Sequence, residues 1–277
     1  MENSDLSWYK VKEISKKVWL IGDVGVNAYL IEGSETALLV DTAWGIGNLS
    51  ALVASLTSLP ITVVNTHGHP DHVSGNYHFE QAFLHNDDLP IMKNGFTPEA
   101  RSRTIKRFSN NPLPPHFSEE SWINAIPSKM IPLSENQKFD LGGKVVVVIE
   151  MPGHTPGSIC LLDIRDRLLF TADSVSEGNI LLNFDYSLPL QTYLKGINHL
   201  ISMKDKFDYI IPSHGNAPID PAILLEFKGG VEKVITGELR GTPYETPLGN
   251  GLLCKFNSCG ILYRAIPSPI SLREQAI

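Results

Sequence analysis

No stretch of the sequence approaches the roughly 20 consecutive apolar residues that a membrane-spanning helix needs. The N-terminal stretch, MENSDLSWYKVKEISKKV, also contains no apolar run of the kind that signal peptides carry. Both absences argue against a membrane-embedded or exported protein. We therefore predict a cytoplasmic protein with no membrane partner.

Positive charge and cysteine are also scarce. The chain has 23 Lys and Arg against 30 Asp and Glu, a formal net charge of −7, whereas a general nucleic-acid binder needs a cationic surface. No nucleic-acid partner is therefore predicted. Cysteine occurs only at Cys160, Cys254 and Cys259, an odd number that does not suggest a disulfide framework. We predict reduced thiols, although Cys254 and Cys259 could face each other across a hairpin.

The rest of the sequence has the pattern of an α/β protein. Its 277 residues are 42% hydrophobic, enough for a sizeable core, and we predict a single domain over residues 1–277. Short β-branched apolar runs alternate with segments whose leucines recur every three or four residues. The predicted strands are residues 18–21, 27–32, 36–40, 61–65, 82–85, 144–150, 158–164, 168–171 and 209–211. The predicted helices are residues 46–59, 189–203 and 220–236, the last with Asp220 as N-cap and Pro221 in the first turn.

Two segments depart from this alternation. Residues 86–135 are rich in proline and asparagine and carry scattered basic and aromatic side chains. They predict a lid-like insertion or one wall of a substrate pocket. Residues 251–265 predict a closing hairpin, which could add edge strands to a sheet or form a contact in a homodimer.

The densest group of potential metal ligands follows the predicted strand at residues 61–65. It contains His67, His69, Asp71 and His72, with Gly68 and Pro70 between them. Glycine and proline favour an irregular loop, which can turn neighbouring side chains toward more than one metal ion. Imidazole and carboxylate are ligands that suit Zn, Fe or Mn. The loop therefore predicts a metal site at the end of a buried strand.

Three further strands are followed by the same kind of residue. His154 follows residues 144–150 within Pro-Gly-His-Thr-Pro-Gly, Asp173 follows residues 168–171, and His214 follows residues 209–211. Together with the histidine loop these make seven candidate ligands, enough for two divalent metals with one bridging carboxylate. The other histidines lack this strand-end context and are interpreted as structural: His78, His85, His116 and His199.

These motifs together resemble the metallo-β-lactamase-fold metallohydrolases, in particular the glyoxalase II-like and lactonase-like branches. The resemblance rests on Asn27-Ala28-Tyr29-Leu30-Ile31-Glu32-Gly33, Asp41-Thr42, the His-x-His-x-Asp-His loop, Gly153-His154-Thr155-Pro156-Gly157-Ser158, Leu169-Phe170-Thr171-Ala172-Asp173 and Pro212-Ser213-His214-Gly215. It covers residues 18 to about 264. It implies a four-layer αββα sandwich with the metal site at one edge.

The resemblance also implies a role for each candidate residue. The ligands would divide into His67, His69 and His154 on the first metal, Asp71, His72 and His214 on the second, and Asp173 between them. Asp41 would steady the histidine loop without binding a metal. The implied reaction is hydrolysis by a hydroxide that bridges two divalent ions, zinc in the first place and iron or manganese otherwise. Asp71 would also accept or orient the proton of the attacking water.

The sequence indicates the substrate less precisely than it indicates the metal site. A bridging carboxylate such as Asp173 is similar to that of thioesterase-, lactonase- and phosphodiesterase-like members, and true β-lactamases commonly lack it. Where lactonase-like members carry a tyrosine, this chain has Ser176, and residues 220–277 do not resemble the basic helical region of glyoxalase II-like members. We predict cleavage of a small acyl substrate, that is, a thioester, lactone, ester or amide. The alternatives are a β-lactamase or phosphodiesterase and, from another class, a mononuclear iron dioxygenase-like redox enzyme.

Four residues are candidates for the substrate pocket. Trp44 follows Asp41 closely and is expected at the same edge of the sheet. Asn183, Phe184 and Tyr186 precede a predicted helix just after Asp173 and could face the metals.

Overall fold

A computed structural model describes residues 6–108 and 112–264, and two packed β-sheets form its centre. The first sheet has seven strands in chain order: β1 (Lys10–Ser15), β2 (Val18–Gly22), β3 (Asn27–Glu32), β4 (Ala37–Val40), β5 (Ile61–Val64), β6 (Gln81–His85) and β7 (Lys129–Leu133). Neighbours from β1 to β4 are antiparallel, and those from β4 to β7 are parallel.

The second sheet has five strands and continues the chain after β7. Its strands are β8 (Lys138–Asp140), β9 (Val145–Glu150), β10 (Ile159–Asp163), β11 (Leu168–Ala172) and, after β12 (Asn179–Leu182) of another sheet, β13 (Tyr209–Pro212). Their order across the sheet is β13-β11-β10-β9-β8. The pair β11–β13 is parallel, so these two strands end at the same edge.

Apolar side chains fill the space between the two sheets and on their outer faces. Tyr29 and Phe170 meet edge to face between the sheets, with ring centroids 5.2 Å apart. Leu38 and Val40 point to this inner layer, while Leu39 points to the outer one, and all three are buried. A strand buried on both faces needs apolar residues at every position, which is why β4 reads as a continuous apolar run.

Helices cover the outer faces of both sheets. Helix α1 (Leu49–Leu56) packs through Leu49, Leu52 and Val53 on the first sheet. Four further short helices follow it: α2 (Pro70–Val73), α3 (Leu89–Gly95), α4 (Pro98–Ile105) and α5 (Glu119–Ile123). Helices α6 (Leu190–Ser202) and α7 (Ile223–Thr236) pack on the second sheet. The predicted αββα order of layers is therefore confirmed.

The start of α7 differs from the prediction. Asp220 and Pro221 lie in a turn before the helix, and Asp220 accepts a hydrogen bond from the backbone N of Ala222. An aspartate that bonds to the amide two residues later forms a local turn and delays the helix by two residues.

The predicted closing hairpin belongs to a third sheet. Strands β15 (Gly249–Lys255) and β16 (Gly260–Tyr263) form the hairpin, and residue 265 lies outside the described residues. The sheet order is β12-β16-β15-β14, with β14 at Thr242–Thr246, so the hairpin does not extend either main sheet. Cys254 and Cys259 are buried beside α6 and α7, and all three thiols are free.

The segment at residues 86–135 leaves the first sheet and returns to it as β7. Its last part is therefore a sheet strand, and the excursion covers residues 86–128, of which 109–111 lie outside the described residues. Within it, the buried guanidinium of Arg101 lies 3.9 Å from the ring centroid of Trp122 and donates to its carbonyl at 2.6 Å. This contact joins α4 to α5.

No helix in the described residues is long and apolar enough to cross a membrane.

Candidate metal centre

Adjacent strand ends bring the candidate ligands to one edge of the sandwich. The histidine loop follows β5 and His154 follows β9, while Asp173 and His214 follow the parallel pair β11 and β13. Ala172, directly before Asp173, has a φ of +46°, which is costly for a residue with a side chain. A left-handed residue at a strand end turns the next side chain out of the sheet, and strain of this kind concentrates at functional sites.

The first group of ligand atoms comes from His67, His69, His154 and Asp173. Their ligand atoms all lie within 4.8 Å of one another. The Nε2 atom of His154 is 3.0 Å from Nδ1 of His69 and 3.5 Å from Oδ2 of Asp173. Nε2 of His67 is 4.0 Å from the same Asp173 oxygen. Three imidazole nitrogens and one carboxylate oxygen suit a four-coordinate zinc site.

The second group comes from Asp71, His72 and His214, and Asp173 also borders it. Nε2 of His214 is 3.4 Å from Oδ2 of Asp71. Oδ1 of Asp173 is 3.3 Å from Nε2 of His72 and 3.2 Å from Nε2 of His214. Asp173 thus presents one oxygen to each group. The structure brings together all seven residues that the sequence indicated, in the division that the resemblance implied.

Each ligand imidazole is oriented by a hydrogen bond at the nitrogen that points away from its ligand group, as is usual for histidines that bind metals. The partners are Thr66 Oγ1 for His67 at 3.2 Å, Tyr186 OH for His69 at 2.7 Å, Asp41 for His72 at 2.8 Å, Leu181 O for His154 at 2.7 Å and Gly25 O for His214 at 2.6 Å. On the inner side, Nε2 of His67, Nε2 of His72 and Oδ1 of Asp173 are buried without a hydrogen-bond partner. Buried polar atoms need partners, so this donor set fits two cations.

The electrostatics of the two groups differ. Burial, and then the neighbouring His154, lowers the pKa of His69 to about 3, so His69 is neutral. A neutral imidazole with a free lone pair is the form that binds a metal. Burial alone would lower the pKa of His72, but the carboxylates of Asp173, Asp71 and Asp41 outweigh it and raise this pKa to about 10. The second ligand group therefore attracts positive charge more strongly than the first.

Asp41 holds the histidine loop through hydrogen bonds to Thr66 and His72. Its Oδ1 accepts from the backbone N of Thr66 at 2.8 Å, and its Oδ2 accepts from Thr66 Oγ1 at 2.7 Å. The same Oδ2 lies 2.8 Å from Nδ1 of His72. Asp41 is fully buried and has a φ of +61°, a conformation that aspartate tolerates better than most residues. It contacts a ligand histidine without belonging to either ligand group.

Asp88 contacts both ligand-bearing loops, and the sequence reasoning missed it. It is fully buried and accepts from the backbone N of Gly68 at 2.7 Å and of Gly157 at 2.7 Å, and from Thr155 Oγ1 at 2.7 Å. It thereby joins the loop of His67 and His69 to the loop of His154. A Cβ at position 157 would lie 2.8 Å from its Oδ1, so glycine is needed there. The sequence feature that could have indicated Asp88 is its position shortly after the strand β6.

A cavity of about 690 Å³ opens onto both ligand groups. Trp44, Phe184 and Tyr186 line it, as the sequence suggested. Asn183 does not line it: this side chain is buried and donates to the carbonyl of Asn250 at 3.4 Å, toward the hairpin. Asn183 and Phe184, which follow the end of β12, therefore face different ways.

The remaining histidines lie outside both ligand groups of the described residues. His116 and His199 are exposed, and His78 is half-buried. His85 approaches Glu150 at 3.5 Å, away from the site.

The turn between β2 and β3 borders the cavity and carries a half-buried acid, Asp23. Asp23 accepts hydrogen bonds from Trp8 Nε1 at 2.7 Å and from the backbone N of Val24 and Trp44 at 2.7 and 3.3 Å. Burial nevertheless raises the pKa of Asp23 from 3.8 to about 6. Ionisation of this carboxyl is therefore less favourable in the folded protein than in the unfolded chain.

Replacing Asp23 with asparagine will change how stability depends on pH. In the wild type, a carboxyl with a raised pKa contributes to the free energy of unfolding at low pH, and this contribution is lost as the pH rises through about 6. Asparagine cannot ionise, so Asp23→Asn should gain about 3 kcal/mol relative to wild type between about pH 4 and about pH 7. Urea unfolding of both proteins across this range measures the gain. A stability difference that stays constant with pH would contradict the raised pKa.

A family model for the metallo-beta-lactamase superfamily matches residues 21–214. The chain therefore belongs to the metallo-beta-lactamase superfamily and is an enzyme of this hydrolase family. Among its relatives, the human protein named acyl-coenzyme A thioesterase MBLAC2 is 27% identical over 238 residues, covering 77% of this chain and 83% of its own. The beta-lactamase-like protein 2 homolog of Drosophila melanogaster is 26% identical over 211 residues, covering 73% of this chain and 63% of its own.

Solved structures show the same fold at lower identity. The DIM-1 metallo-beta-lactamase is 16% identical with a TM-score of 0.59, covering 82% of this chain and 98% of its own. The sec-alkylsulfatase Pisa1 from Pseudomonas sp. is 15% identical with a TM-score of 0.64, covering 83% of this chain and 42% of its own. These likenesses concern the fold alone.

Proposed function

We propose that the protein is a dinuclear metal-dependent hydrolase that cleaves a small acyl substrate, a thioester in the first place. The observation that carries the proposal is the position of Asp173, whose two oxygens face two separate groups of ligand atoms. A single metal would use only one of these groups. Two divalent cations, zinc by the three imidazoles and one carboxylate of the first group, would supply a nucleophile at neutral pH and polarise the bond that is cleaved.

The residues of the chain supply positioning and proton transfer. Asp71 lines the cavity, and one of its oxygens lies 3.4 Å from His214, so its carboxylate borders the place where water and substrate meet. A carboxylate in that position can accept the proton of the attacking water. Asp41 and Asp88 hold the two ligand-bearing loops in place. A rigid set of ligands lets the substrate be attacked without rearrangement of the site.

The walls of the cavity favour an acyl substrate over a compact ionic one. One wall is apolar: Ile180, Leu181 and Leu262 come from strands of the third sheet, and Leu248 comes from the turn between β14 and β15. Arg107 lies on the side formed by the excursion and can pair with an anionic group of the substrate. The similarity to the human thioesterase supports a thioester, since the sequences align over 77% of this chain.

A turnover panel tests the proposal on purified protein of measured metal content. The panel contains acyl-coenzyme A thioesters, lactones, β-lactams and phosphodiesters. We expect two zinc ions per chain and the highest kcat/KM for thioesters. A preference for phosphodiesters over every acyl substrate would contradict the proposed bond. One iron per chain, together with oxygen consumption, would favour the redox alternative.

A further inference from the structure

Tyr186 differs from the other groups that orient the ligand histidines. The partners of His72, His154 and His214 are a buried carboxylate and two backbone carbonyls, and the partner of His67 is the neighbouring Thr66. The partner of His69 is the hydroxyl of Tyr186, at 2.7 Å from Nε2. Tyr186 also lines the cavity and is 37% exposed. It therefore contacts a ligand histidine and faces the space for the substrate at the same time.

Aromatic contacts hold Tyr186 in this place. Its ring stacks on Phe184 with centroids 5.3 Å apart and an interplanar angle of 11°. Phe184 in turn meets His69 and His154 edge to face, at 5.0 and 5.7 Å. Aromatic pairs of this kind contribute about 0.5–1.5 kcal/mol beyond the area they bury. The hydroxyl is thus positioned by packing as well as by its bond to His69.

The hydrogen-bond arrangement leaves the proton of Tyr186 available. Nδ1 of His69 lies 3.0 Å from Nε2 of His154, on the side of the first ligand group, so a metal bound there would leave the hydrogen of the neutral ring on Nε2. Nε2–H then donates to the Tyr186 oxygen. A phenol that accepts through its oxygen can still donate its own hydrogen. Within residues 6–108 and 112–264, the hydroxyl of Tyr186 has no hydrogen-bond partner besides His69.

We propose that Tyr186 is a catalytic residue that donates its hydroxyl hydrogen to the carbonyl oxygen of the scissile acyl bond while it holds His69 in its ligand tautomer. This inference rests on the proposed hydrolase function. Negative charge develops on the carbonyl oxygen as the acyl carbon is attacked, and a fixed donor there stabilises the transition state more than the ground state. The ordinary pKa of a phenol is about 10, so the hydroxyl carries its hydrogen at neutral pH.

The variant Tyr186→Phe tests the proposal because it keeps the stacked ring and removes the hydroxyl. With metal at saturation, kcat should fall about 100-fold, the usual loss for one donor to a developing oxyanion, with little change in KM. Metal affinity, measured by competition with a chelator and without any turnover, should fall about 10-fold, as for other outer partners of ligand histidines. Tyr244→Phe is the matched control for metal affinity, since Tyr244 lines the cavity but contacts none of the ligand imidazoles.

The possible outcomes separate the inference from the proposed function. If kcat of Tyr186→Phe stays close to wild type at metal saturation, Tyr186 is only a positioning residue and the inference is wrong. The loss should be equal for aryl and alkyl esters of one acid. A loss confined to alkyl esters would assign the hydrogen to the leaving group and overturn the carbonyl role. A wild-type protein that binds two metals and cleaves no acyl substrate would refute the proposed function itself.

Discussion

Asp173→Ala will abolish nearly all turnover and leave the fold intact. Asp173 presents one oxygen to each ligand group, so its loss removes a ligand from both. Each metal contributes several kcal/mol of charge stabilisation, so we expect kcat to fall by at least about a thousandfold. The fold should persist because this side chain lies at the cavity, partly exposed, and not in the apolar core. His69→Ala should behave similarly through the first ligand group alone.

Three measurements check this prediction: metal content per chain, kcat on the preferred acyl substrate, and the thermal unfolding midpoint. Asp185→Ala is the matched control, because Asp185 lies on the loop beside the cavity with a fully exposed carboxylate whose one ionic partner among residues 6–108 and 112–264 is Arg264. It should keep wild-type metal content and activity. Full activity in an Asp173→Ala protein that is shown to be metal-depleted would refute the metal-dependent mechanism.

Asp88→Ala will weaken metal binding and stability together, although Asp88 belongs to neither ligand group. The variant leaves the buried backbone N–H groups of Gly68 and Gly157 without their partner. Unsatisfied buried donors cost about 1–3 kcal/mol each, so the free energy of unfolding should fall by about 3 kcal/mol. Because the loops of His67 and of His154 then lose their common anchor, metal affinity should fall about 10- to 100-fold.

Urea unfolding of the metal-free protein and chelator competition measure the two effects separately. Asp87→Ala is the control next in sequence, since the Asp87 side chain is 63% exposed and its one ionic contact within the described part of the chain is with His85 at 3.8 Å. That variant should match wild type in both measurements. Unchanged metal affinity in Asp88→Ala would show that the two loops keep their positions without a shared carboxylate.

The strands that the sequence reasoning missed all lie at the edges of their sheets. Strands β7 and β14 contain Pro132 and Pro243, and each lies at the edge of its sheet. Proline is tolerated at an edge because the missing N–H has no ladder partner to lose, yet within a sequence it argues against a strand. Strand β1 is mostly exposed and charged, so it lacks the apolar alternation of a half-buried strand.

The sequence by itself determined the seven candidate ligands and the apolar strands that carry them. Both are local patterns, because a buried strand must be apolar and a ligand loop must interrupt it with glycine, proline and polar residues. Only the tertiary structure decided which residues support the site. Asp88 reaches Gly157 across 69 positions, and Tyr186 reaches His69 across 117. A hydrogen bond between distant segments has no local signature, since it depends on where two loops meet after the sheets have packed.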